Sequence, residues 1–509
     1  MAIATFCSRI LGLVREQFIA FYFGASGLTD AFLIAYRIPN LLRDLFAEGA
    51  FSSAFVPTFV DANLKDPQAA RKLLWSLFIL LLLVSGSITV GIYIFTPELI
   101  NLFAPTFKND PRKYDVAIWL TRIMSPFLCF VSVAALFMGV LNSLKVFFLP
   151  SFAPAFFNIA MILSMLIFPT ILVDKGMEPI LSLGFGVLIG GFIQAFVQFP
   201  LIVKKGYGPT KPSRIFSKET KKVLILIGPG LLGFAASQIN LVINTILASS
   251  TLVGAVSWLS YSFRLFQLPV GILSVSIGNS NLVHFSNSWK AGKKDEAISF
   301  LKGSYFLSYF LVFPAMIALG VYADEIVSVI FERGKFTAES TEMTAKALRW
   351  YAVGLPAYSL YKIFVPTFYA IDRQKIPVLC SIFGIIVNIV FCVSLTPIYG
   401  FEVLAFGTSL SIVLNTAVQM FILKSDLKIK LTDFLNLRLF KILSCAAITT
   451  YLSYLLKTEI TPGDAGFIMK ASYLSMYLVF TAMCYFLLCV IVGERQAVKK
   501  LINRFSKRK

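Results

Sequence analysis

The chain has 509 residues, 57% of them hydrophobic and 14% charged, against about 25% charged residues in a water-soluble domain. Its mean hydropathy of +0.80 excludes a soluble fold, and its long continuous apolar runs exclude the alternating strands, roughly ten residues each, of a membrane β-barrel. The net charge of +20 does not point to nucleic acid, because Lys and Arg gather in short loops and in the tail RQAVKKLINRFSKRK; that is the distribution of the positive-inside rule.

In chain order the apolar runs predict fourteen membrane-spanning helices, near 2–23, 28–60, 73–96, 116–141, 152–173, 181–203, 222–248, 252–283, 301–322, 347–371, 376–396, 402–423, 438–456 and 469–492. The first run contains Arg9, Arg15 and Glu16 and no small-residue cleavage site follows it, so it reads as a retained helix. An even number of spans puts both termini on one side. Loops on that side, including 204–221, 286–300, 424–437 and the tail, hold about three times as many Lys and Arg as the opposite loops, which predicts that both termini are cytoplasmic.

Two halves repeat. AYRIPNLL at 35–42 resembles SFRLFQLP at 262–269, and the shift of 227 that superposes Arg37 on Arg264 also superposes Pro150 on Pro377. This predicts an N-lobe of six spans at 1–203, a basic linker at 204–221, a C-lobe of six spans at 222–423, and a final helix pair with a basic tail at 424–509.

The chemistry concentrates in the first two spans, where 8–57 holds Arg9, Arg15, Glu16, Asp30, Arg37, Arg43, Asp44 and Glu48. Each charge near the bilayer centre costs about 2.5–3.5 kcal/mol on the lenient insertion scale, so these groups must face one another or water. Internal ion pairs that fix helix packing are one reading. The other is an anion path, since basic groups match or outnumber acids and Arg264 arrives from the second half with no acid near it in sequence; guanidinium forks suit phosphate. Lys362, between two prolines, is a weaker candidate. His284 is the only histidine, the seven cysteines lack metal-ligand spacing, and there is no Walker loop, HExxH or nucleophile elbow, so neither a metal, a cofactor nor catalysis is expected. The glycines of LGFGVLIGGF at 183–192 read as close helix contact.

These residues resemble the lipid II flippases of bacterial peptidoglycan synthesis, within the superfamily of multidrug, oligosaccharidyl-lipid and polysaccharide exporters. The most specific segments are SRILGLVRE at 8–16, FGASGLTDAFLIAYRIPNLLRDLFAEGAFSSAFVP at 23–57, LNSLKVFFLPSFAPAFFNI at 141–159, INTILAS at 243–249 and FERGKFT at 331–337. The resemblance implies an all-α polytopic inner-membrane protein, two six-helix lobes in a V around a cationic cavity, and a C-terminal helix pair whose groove takes a polyprenyl tail. It implies that Arg9, Arg15, Asp30, Arg43 and Arg264 are the sensitive charges, supported by Glu16 and Glu48. Phe263 and Gln267 stand where the family commonly carries acids, and His284 stands where a proline is expected.

The function implied is alternating-access transfer of the undecaprenyl-diphosphate-linked disaccharide peptide, lipid II, to the periplasmic leaflet. The membrane potential or an ion gradient would drive it, with membrane lipids and cell-wall synthesis proteins as neighbours. Two alternatives are an ion-coupled exporter of another lipid-linked saccharide or drug, and a non-transporting scaffold for cell-wall enzymes.

Overall fold

The computed structural model describes residues 2–47, 50–211, 216–460 and 466–494, except the side chains of 2–3, 42–47, 50–53, 218 and 226–237. All its regular elements are helical. The first compact unit comprises 1–257 with 333–336, and the second comprises 258–332 with 337–509.

In the first unit, charge-bearing α1 (Ala2–Phe23) and α2 (Gly27–Ala47) are followed by α3 (Ala50–Lys65). Asp66 then caps α4 (Pro67–Ile94), its side chain accepting from Gln68 N, with Pro67 preset at the first helical position. Two short elements that the spans do not anticipate follow, α5 (Thr96–Phe103) and a 3₁₀ turn. Asp110 starts α6 (Pro111–Met124) in the same way, accepting from Lys113 N. Next come α7 (Phe127–Ser143), α8 (Phe148–Asp174), α9 (Leu181–Phe196), α10 (Phe199–Ile202) and, after the linker, α11 (Lys218–Ser249).

α12 (Ala255–Pro269) runs across the boundary between the units and passes through a π-turn at Val270–Ser274 into α13 (Val275–Lys290). The second unit continues with α14 (Lys294–Val321), α15 (Ala323–Phe331), α16 (Ala338–Val353) and α17 (Leu355–Ala370). It ends with α18 (Lys375–Tyr399), α19 (Glu402–Asp426), α20 (Leu437–Glu459) and α21 (Phe467–Ile491).

Among the described residues nine helical stretches are long and apolar enough to span a membrane by length and composition. Others that the apolar runs predict are broken or charged: the run at 28–60 divides into α2 and α3, that at 252–283 carries the π-turn, and 347–371 is α16 and α17 kinked before Pro356. Lipid tails are as apolar as leucine, so helices here are held by close packing and by polar bonds worth about 0.6–1.7 kcal/mol each rather than by hydrophobic burial. The α8–α9 seam shows both. A Cβ at Gly190 would lie 3.0 Å from the Phe157 carbonyl oxygen, and Ser164 Oγ donates to Ser182 O at 2.5 Å. In the second unit Asn281 Nδ2 on α13 donates to Thr367 Oγ1 on α17 at 3.1 Å, and Ser308 Oγ on α14 to Ser359 Oγ at 2.7 Å.

The start of the linker is fastened to the first unit. Trp75 Nε1 donates to Tyr207 O at 3.0 Å, Arg71 donates to Gly208 O at 2.7 Å and Pro209 O at 2.8 Å, and the buried Tyr207 hydroxyl bonds Asn63. α11, beyond the linker, packs on α3 in the same unit.

Candidate functional site

Charged groups on α1 and α2 persist in an apolar setting only if partners or water meet them, and the first unit supplies partners. On α1, Arg15 Nη2 lies 2.5 Å from Glu16 Oε1 and Nη1 donates to Asn158 Oδ1 of α8 at 3.0 Å. Its guanidinium carbon sits 5.8 Å from the Phe157 ring centroid. Asn158 Nδ2 in turn donates to Ser8 O at 3.2 Å, so one amide ties two points of α1 to α8. Arg15 and Glu16 are only 9% and 5% exposed; they form the internal ion pair that the sequence leaves open as one reading of these charges. Arg9 lies exposed on α1.

Asp30, on the first turn of α2, is 1% exposed. Its carboxylate accepts from Gly254 N at 2.7 Å, Ser257 N at 2.9 Å and Ser257 Oγ at 2.6 Å, and lies 3.7 Å from Lys113 Nζ. A carboxylate across the first amides of a helix satisfies donors that have no partner within it and meets the positive end of its dipole. Asp30 therefore holds the N-terminus of α12, the helix that carries Arg264. The Lys113 ammonium also stands 3.9 Å from the centroid of the Phe107 ring. Further along α2, Arg37 donates to Thr245 Oγ1 of α11. Arg43 belongs to α2, but its side chain and the whole of Glu48 lie outside the described residues.

Arg264 belongs to the second unit, on an exposed face of α12 together with Gln267. Phe263 stands beside it and stacks on Phe266, with the Tyr351 ring 5.4 Å away. An aromatic contact thus occupies the position at which the resemblance leads one to expect an acid. His284, exposed on α13, stacks on Phe300 at 5.0 Å.

Sequence reading does not single out Lys113, Asn158, Thr245 or Ser257. The signal for Lys113 is Asp110-Pro111, a cap followed by a helix start, which moves Lys113 from a loop into a first turn. The signal for Asn158 is an amide within an otherwise apolar run.

A long all-helical chain with nine membrane-length helices among the described residues and charged groups paired inside it has the architecture of a polytopic membrane protein. The fold is shared with a solved inward-facing MATE-family multidrug transporter of the MOP superfamily, at a TM-score of 0.68 and 13% identity over 83% of this chain and 94% of that one. A solved lipid II flippase MurJ in an inward closed conformation matches more fully, with a TM-score of 0.82 and 29% identity over 97% of this chain and 99% of its own. The family model for lipid II flippase MurJ matches residues 19–474. A probable lipid II flippase MurJ of Bdellovibrio bacteriovorus is 31% identical over 97% of this chain and 94% of its own length, and the lipid II flippase MurJ of Burkholderia cenocepacia is 34% identical over 81% and 80%. The chain belongs to the lipid II flippase MurJ family.

Proposed function

We propose that this chain carries lipid II from the cytoplasmic to the periplasmic leaflet by alternating access, breaking no bond of the substrate. The observation that carries this reading is end-to-end correspondence with a solved flippase, at 97% of one chain and 99% of the other. The expected site residues divide in role. Arg264, exposed and planar, is suited to a phosphate of the diphosphate. Arg15 with Glu16, and Asp30 with Lys113, hold the helices that bring such groups into place. Arg9, Arg43 and Glu48 are proposed to contribute charge along the same path. The membrane potential, worth about 2.3 kcal/mol per charge per 100 mV, or an ion gradient supplies the drive, and both termini face the cytoplasm.

The test is transfer of lipid II headgroups across proteoliposomes that contain the full chain. Transfer that rises with protein and falls in Arg264→Ala is expected. Absence of transfer by correctly folded protein would leave a membrane scaffold as the better reading.

A further inference from the structure

Resting on that reading, we propose that Lys362 is a second anion-binding residue, one that pairs with a carboxylate of the headgroup's peptide rather than with its diphosphate. Several cations of the second unit have acids beside them: Lys302 with Asp433, Arg349 and Lys457 with Asp324, Arg373 with Asp426, Arg438 with Glu494 and Lys470 with Glu332. Lys362 has none among the described residues. Its half-buried ammonium sits 5.4 Å from the Tyr358 ring centroid and 5.9 Å from that of Tyr361. Two aromatic faces offset only part of the cost of holding an ammonium in an apolar lobe. A missing anion is what the arrangement leaves to be supplied.

The backbone at this position is built rather than incidental. Pro366 has no N–H, so the Lys362 carbonyl receives no helical hydrogen bond from it. Against that carbonyl lies Gly278 of α13, where any Cβ would collide with the oxygen. Pro366 and Gly278 together fix where α17 presents the lysine. The Tyr358 ring also packs on Phe266 at 5.6 Å, two residues beyond Arg264, so the lysine is joined by contact to the helix of that arginine.

Spacing chooses the ligand. Arg264 precedes Gly278 by fourteen positions, about 20 Å of helix. The backbones that carry Arg264 and Lys362 are therefore set further apart along the helix than a diphosphate, two phosphates sharing one oxygen, extends. A headgroup of disaccharide and peptide does span that distance, and its peptide ends in a carboxylate. An ammonium with three donors can satisfy such a carboxylate without a bidentate fork.

The experiment measures binding by the purified full-length protein of two probes: undecaprenyl diphosphate bearing the disaccharide with its peptide, and the same lipid lacking the peptide. Lys362→Gln should weaken the peptide-bearing lipid by about tenfold or more, the loss of one charge-assisted bond, and leave the other unchanged. Lys362→Arg should restore most of the affinity, and Arg264→Gln should weaken both lipids. Thermal stability of Lys362→Met at or above that of the parent shows that the affinity change is not unfolding. Equal losses for both probes would assign Lys362 to the diphosphate, and no loss for either would give it no ligand; each overturns the proposal while leaving the flippase reading intact. A parent protein that binds neither lipid would sink both.

Discussion

Asp30 and Arg15 are both buried and both sit among partners, yet removing them should have separable effects. Asp30→Ala leaves Lys113 without its anion and the first amides of α12 without acceptors, and breaking a buried pair by removing one partner costs about 3–5 kcal/mol. The melting temperature of the detergent-purified protein should drop markedly, and Asp30→Asn, which keeps an acceptor oxygen, should recover part of the loss. Arg15→Ala removes the ion partner that Glu16 has on α1. In Arg15→Ala/Glu16→Ala both members of the buried pair are gone, so part of the stability should return; transport that returns with it would show that Arg15 acts only in packing. The charges themselves were legible in the sequence, because any Arg, Asp or Glu in an apolar run stands out. Their partners were not. Asn158 lies 143 positions from Arg15 and Ser257 lies 227 from Asp30, and periodicity tells which face of a helix is polar without telling which face of another helix meets it.

Among the elements, α15 was the least legible. Nine residues are too few for a span window, and the sequence reads the segment as loop. It is held to the last helix pair by ions: Lys457 of α20 reaches Asp324 at 2.9 Å and Glu325 at 3.1 Å, and Lys470 of α21 reaches Glu332 at 3.1 Å. Burial alone would raise the Asp324 carboxyl, but hydrogen bonding and charge from Lys457, with Arg349 beside it, outweigh burial and hold it below its ordinary range. For Glu332 burial is likewise outweighed, by bonds from Ser328, Thr341 and Lys470. A lowered folded value makes the proton a competitor of the fold: this stabilisation is complete above the unfolded carboxylate range of about 4 and is lost as pH falls through the lower folded values. Thermal stability should therefore fall steeply below about pH 4. In Asp324→Asn/Glu332→Gln it should be lower at neutral pH and flatter across the acid range, measured by melting in detergent between neutral and acid buffers. The long apolar spans were legible because a bilayer demands about twenty apolar residues. Breaks such as the π-turn at Val270–Ser274 depend on packing between helices and leave no periodic signature.

At the scale of the whole molecule, the bias of Lys and Arg between loops predicts the orientation of the chain. Single cysteines introduced at Lys211 and Lys500 should resist a membrane-impermeant thiol reagent applied to intact spheroplasts and react once the membrane is opened; reaction from outside at either would reverse the assignment.

The fastening of the linker bears on genetics as much as on structure. Tyr207, Gly208 and Pro209 are bound to Trp75 and Arg71, and α11 packs on α3 within the same unit. The covalent link between 209 and 217 therefore joins two pieces that already cohere without it. A gene divided between Lys211 and Phe216, its halves expressed as separate polypeptides, should yield fragments that co-purify in equal amounts and together support growth when the intact gene is shut off.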